Sequence, residues 1–136
     1  MKLIPLVCRI LLGLLFVVFG ANGLHPFLPM GGMPPAGTPI GDWTNIMMAS
    51  HWSQIVAFLQ VVGGLLVLFG GTLPLGLMLL CPITFNIICF HMCLAGGQQV
   101  GMGIFTAVLE LLLIYYYRAS FAGILTTKAK PVLPAR

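Results

Sequence analysis

Charge is what this sequence has least of. Of its 136 residues only 6% are Asp, Glu, Lys or Arg, and just two are acidic, Asp42 and Glu110. A soluble domain carries roughly a quarter charged residues and under half apolar ones; here 60% are hydrophobic and the mean hydropathy is +1.10. That shortage excludes a water-soluble globule, because there is too little charge to coat its surface. Intrinsic disorder is excluded too, since it needs low hydrophobicity and many charges. With two acids far apart in the chain, a hydrolase built on paired carboxylates is not expected. Also missing are a Gly-rich phosphate loop, H-E-x-x-H, a nucleophile elbow and zinc-finger spacing. The four cysteines form no C-x-x-C, and Cys89 with Cys93, four apart on one helix, is a poor geometry for a disulfide.

Long apolar runs take the place of charge. A helix needs roughly 20 mostly apolar residues to cross the hydrocarbon core, and four stretches qualify: 3–23, 52–71, 73–94 and 100–117. They are continuous rather than alternating every second residue, which favours helices over a β-barrel. Their only formal charges are Arg9 and Glu110. Because Arg9 interrupts the first run, it is expected to stay as a span and not to be cleaved as a signal peptide. The fold expected is an all-α, four-transmembrane-helix bundle forming a single membrane domain. Residues 24–51 hold five of the ten prolines and read as an irregular Pro/Gly-rich outer loop folded back as a cap.

The basic residues set the orientation. Lys2 and Arg9 stand at the start, and Arg118, Lys128, Lys130 and Arg136 lie in a basic tail over 118–136, whereas 24–51 has no Lys or Arg. By the positive-inside rule both termini are cytoplasmic, which an even number of spans satisfies. The net charge of +4 is therefore an orientation signal and an attraction to anionic lipid, not a nucleic-acid footprint. The partners expected are the lipid bilayer and either other membrane subunits or further copies of the chain. Gly97-x-x-x-Gly101 is a candidate self-association element.

Polar residues inside apolar spans are costly unless they face protein or water. At 100° per residue, Arg9 shares a face with Gly13, Phe16 and Gly20; Gln60 with Ser53, Ala57 and Gly64; Asn86 with Pro82, Cys89 and Cys93; Glu110 with Gly103 and Thr106. Small residues mark faces where helices approach closely. At 1.5 Å of rise per residue, Arg9, Glu110 and Gln60 lie about 9, 12 and 14 Å from the inner ends of their spans, with Asn86 near 18 Å. These depths suggest a buried polar cluster in which Arg9 and Glu110 pair, with Gln60 and Asn86 completing the hydrogen bonds. It reads either as a staple fixing helix register or as a mid-membrane proton relay or binding site. A second polar layer, His91, Asn22, His25 and His51, is the candidate ligand-binding group near the outer face. Its histidines could hydrogen-bond a quinone carbonyl or, with the outer methionines Met30, Met33, Met47, Met48, Met92 and Met102, handle a metal or small solute. No residue set is assigned as a metal site.

Several of these residues carry a family resemblance. Arg9, Leu12-Gly13-Leu14, Phe19-Gly20 and Asn22 precede a loop opening His25-Pro26-Phe27. The run from Gly63-Gly64 to Phe69-Gly70 leads to Pro74-Leu75 and then to Pro82, Asn86 and Phe90-His91, with Glu110 and Arg118 in and after the last span. Across nearly the whole chain this resembles the DoxX-like family of small four-helix membrane proteins. The resemblance implies a four-helix bundle with cytoplasmic ends in a bacterial or archaeal plasma membrane, and an accessory subunit of a quinone-linked redox assembly. An alternative is that the chain itself is a quinone-binding oxidoreductase. Where relatives often carry Glu just before the Gly-Gly pair, this chain has Gln60, which removes a titratable group.

Overall fold

The computed structural model describes residues 3–29 and 32–124. Lys2, Met30 and the basic residues Lys128, Lys130 and Arg136 lie outside the described residues. Within them the chain is all-helical: α1 Leu3–Leu24, α2 Pro39–Ala49, α3 Trp52–Leu68, α4 Leu73–Cys93 and α5 Val100–Tyr116, followed by a 3-10 turn at Arg118–Phe121. Two of these, α1 and α4, are long and apolar enough to cross a membrane. A third candidate exists if α2 and α3, which meet at 78°, count as one broken span; α5 is apolar but only 17 residues long.

The helix α2 corrects the expectation of an irregular loop over 24–51. Its start is built from Thr38, whose hydroxyl accepts from the Gly41 N–H, and from Pro39 in the first turn, where a missing N–H costs nothing. Asp42 adds a carboxylate in that turn, accepting from the Gly37 N–H at 2.9 Å. Such a cluster outweighs the nearby prolines, which all precede the helix or occupy its first position. The elbow between α2 and α3 is His51, held at φ 60 without being glycine.

Helices α1, α3, α4 and α5 close into a ring, each packed on two neighbours, with α2 lying against α3 outside it. The register is set by glycines. A methyl group on Gly64 would stand 2.8 Å from the Gly13 carbonyl oxygen, and one on Gly20 would stand 2.8 Å from that of Ala57. These pairings run in opposite directions, so α1 and α3 are antiparallel with their backbones in close contact, as small residues permit. Gly76 meets the Gly63 carbonyl in the same way across α3 and α4, and Gly103 lies on Ile88 across α4 and α5. All four neighbours in the ring therefore alternate in direction. One end of the bundle gathers the start of α1, the α3–α4 turn and the end of α5; the other carries α2 and the α4–α5 connection.

The apolar core belongs mostly to the first end. Leu12, Val67, Leu73, Leu77, Leu80 and Leu113 are fully buried, and Cys8, Phe16 and Leu109 join them. The outward faces are equally apolar: Phe85 is 70% exposed and Leu111 66%. A surface of that kind is suited to lipid rather than to water.

Candidate functional site

Beyond that core the bundle opens. Along α3 the residues that border this space are Ser53, Val56, Ala57 and Gln60, and α2 contributes Trp43 and Met47. The result is a cleft of about 550 Å³ between α2, α3 and α4, touching Gly23 of α1. That volume lies within the roughly 300–1,000 Å³ typical of small-molecule sites.

Its walls are of two kinds. Trp43, Trp52 and Phe90 supply aromatic surface, with Trp43 of α2 and Phe90 of α4 packed at 4.6 Å between ring centroids. Phe90 also meets the ring of His91 edge-on at 5.1 Å. Between them stand the polar side chains of Ser53, Gln60, Asn86 and His91. Nδ1 of His91 is buried and has no hydrogen-bond partner. A buried polar atom left unpaired costs free energy that a ligand's complementary group would recover. None of the described residues lining the cleft is acidic, lysine or arginine, so in a low-dielectric setting it favours a neutral guest over an ion.

A smaller cavity of about 230 Å³ adjoins the cleft across Asn86 and Phe90. It shares Trp43 and adds Cys89, Cys93 and Leu94. The thiols are free.

The polar cluster expected from depth alone is divided between three places. Gln60 and Asn86 share the cleft with His91. Glu110, 4% exposed, faces α4 instead, where the Thr84 hydroxyl donates to its Oε1 at 2.7 Å and the Cys81 thiol lies beside the carboxyl. Arg9 turns toward the α3–α4 turn, its guanidinium seated against Gly70. The expected Arg9–Glu110 ion pair is absent, because the long arginine side chain carries its guanidinium to Gly70 while Glu110 faces Thr84 on α4.

The outer layer divides as well. Asn22 is buried as a structural link: its Oδ1 accepts from the N–H groups of Phe27 and Leu28, holding the chain that leaves α1. His25 is exposed just beyond that helix. His51 is exposed at the α2–α3 elbow, its Nδ1 3.2 Å from Oε1 of Gln54. Only His91 reaches the cleft. No group of three or more His, Cys, Asp or Glu side chains able to hold a metal occurs among the described residues, so the three histidines do not gather as one site.

No family model, curated protein or solved structure matches this chain. A functional reading therefore rests on the chemistry of the cleft. Sequence reasoning missed its aromatic wall. The 78° bend that turns Trp43 onto Phe90 leaves no periodic signal in the sequence.

Proposed function

We propose that this chain is a four-span membrane protein that receives the ring of a quinone in the α2–α3–α4 cleft, as a subunit of a membrane redox assembly. Helices α3 and α5, at 17 residues each, fall at the short end of the range that spans a bilayer. The closed antiparallel ring and its apolar outer faces support counting them as spans. Charge bias then puts the end bearing Arg9 and Arg118 in the cytoplasm. The cleft lies in the outer half, and the DoxX-like resemblance favours a bacterial or archaeal plasma membrane.

One observation carries the ligand assignment: the unpartnered, buried Nδ1 of His91 beside Gln60 and Asn86 in a cleft whose described lining is aromatic and uncharged. A quinone suits that combination. It is neutral and planar, it presents carbonyl oxygens as acceptors, and its apolar tail can remain in lipid. Imidazole N–H and side-chain amides are the matching donors, while Trp43, Trp52 and Phe90 offer ring faces.

The test is solvent extraction of protein purified in mild detergent with its native lipid, read by absorbance and mass. Near-stoichiometric quinone is expected from the wild type, falling sharply in His91→Ala and in Asn86→Ala. Quinone absent from wild type, or retained unchanged in both variants, defeats the assignment. Native mass spectrometry of the same preparation addresses the assembly, with stoichiometric companion chains expected.

A further inference from the structure

Arg9 is the one cation described within an apolar helix, and among the described residues no carboxylate pairs with it. Its Nε is buried with no hydrogen-bond partner. The acidic side chains are engaged elsewhere: Asp42 accepts from the Gly37 N–H at the opposite end, and Glu110 accepts from the Thr84 hydroxyl. A guanidinium stays protonated in proteins, and an unpaired charge in hydrocarbon is not tolerated without a partner or a route to the interface.

The structure gives it that route. The Arg9 Cα stands about 9 Å beyond Leu3 along α1, and Cβ atoms lean toward a helix N-terminus. The side chain follows that lean until it is level with the α3–α4 turn. There Gly70, at φ +73, has no side chain; any Cβ would overlap the guanidinium. The neighbouring Gly71 has open space where its side chain would be. The Thr72 hydroxyl is already committed to the Leu66 carbonyl at 2.7 Å. So the arginine reaches the rim of the bundle beside a notch of two glycines, with its charge still unanswered. Arg118 at the same end is by contrast engaged, 4.9 Å from the Tyr115 ring and donating to the Tyr115 carbonyl at 3.0 Å.

From this we propose that Arg9 and the Gly70–Gly71 notch bind the phosphodiester of an anionic phospholipid from the adjacent leaflet. The headgroup phosphate is the anion found at that depth, and guanidinium matches its oxygens with paired N–H donors. The site rests on the spanning topology proposed above and is independent of what fills the cleft.

The experiment is native mass spectrometry of the full chain after exchange into mixed micelles containing equal phosphatidylglycerol and phosphatidylcholine. Wild type is expected to retain one phosphatidylglycerol per chain in preference to phosphatidylcholine. Arg9→Gln should lose that preference and Arg118→Gln should keep it. Gly71→Asp, which brings a carboxylate to the notch with Arg9 intact, should also lose it, so the proposal stays testable if Arg9→Gln fails to fold. Retention unchanged in both Arg9→Gln and Gly71→Asp overturns the site, as does equal retention of the two lipids by wild type. Displacement of the bound lipid by millimolar inorganic phosphate would make it a site for soluble phosphate and overturn the lipid assignment. None of these results depends on which way the chain faces, which cysteine labelling decides separately.

Discussion

Glu110 shows how little a buried side chain's sequence neighbours say about its partner. Its helix face, shared with Thr106 and Gly103, points correctly into the bundle, but the group it meets is Thr84 on α4. Replacing Glu110 by Ala strips the buried Thr84 hydroxyl of its acceptor, a loss of about 1–3 kcal/mol before any cavity is counted. Glu110→Gln keeps a carbonyl oxygen in the same place and should stay within about 1 kcal/mol of wild type. Denaturation in detergent separates the two, and equal losses would show that Thr84 contributes nothing. The same limit explains the missing ion pair with Arg9. A 3.6-residue period gives the direction of a side chain from its own helix axis, whereas pairing depends on which helix stands opposite and how far the side chain reaches. Candidate-site residues were legible one at a time: Gln60, Asn86 and His91 do face a common space, but Asn22, His25 and His51 do not join them.

Among the helices, the contact between α1 and α3 depends most on having no side chains. Gly64→Ala would push a methyl into the Gly13 carbonyl, and neither backbone can yield without separating the pair. About 1–3 kcal/mol of destabilisation is expected from such overpacking. Gly101→Ala is the matched control: it sits in the first turn of α5 with nothing within 4 Å of the added carbon. There the substitution should stabilise by roughly 0.5–1 kcal/mol, because alanine loses less backbone entropy. Opposite signs in one thermal-denaturation series check both. The helical character of the apolar runs was legible because their continuous apolar length outweighs the breakers they contain, Pro82 inside α4 and Gly63-Gly64 inside α3. The helix α2 was not, since Pro and Gly density over 24–51 masked the start signal of Thr38, Pro39 and Asp42. That signal is local, and it prevails because the prolines lie where a helix tolerates them.

Taken whole, the molecule has a solid half and a hollow half. Leucines from α1, α4 and α5 fill the end near the α3–α4 turn, while the cleft and its smaller neighbour occupy the other. Cys93, exposed at the end of α4 beside the smaller cavity, reports on the hollow end. In intact cells a membrane-impermeant maleimide should modify Cys93 from outside, and the Cys93→Ser variant should lose that label. Labelling of Cys93 only after the membrane is permeabilised would reverse the proposed orientation. The ring order also bears on how the protein is made. Helix α1 packs on α3 and α5, so when it leaves the ribosome neither of its neighbours exists. At roughly 5–20 residues per second of synthesis, the first helix waits seconds in the bilayer with its row of glycines uncovered, and the ring can close only when the last helix arrives. A nascent chain stalled before α5 would thus hold a glycine-lined α1–α3 pair with one flank open, the form in which quality-control proteases or a second copy would find it.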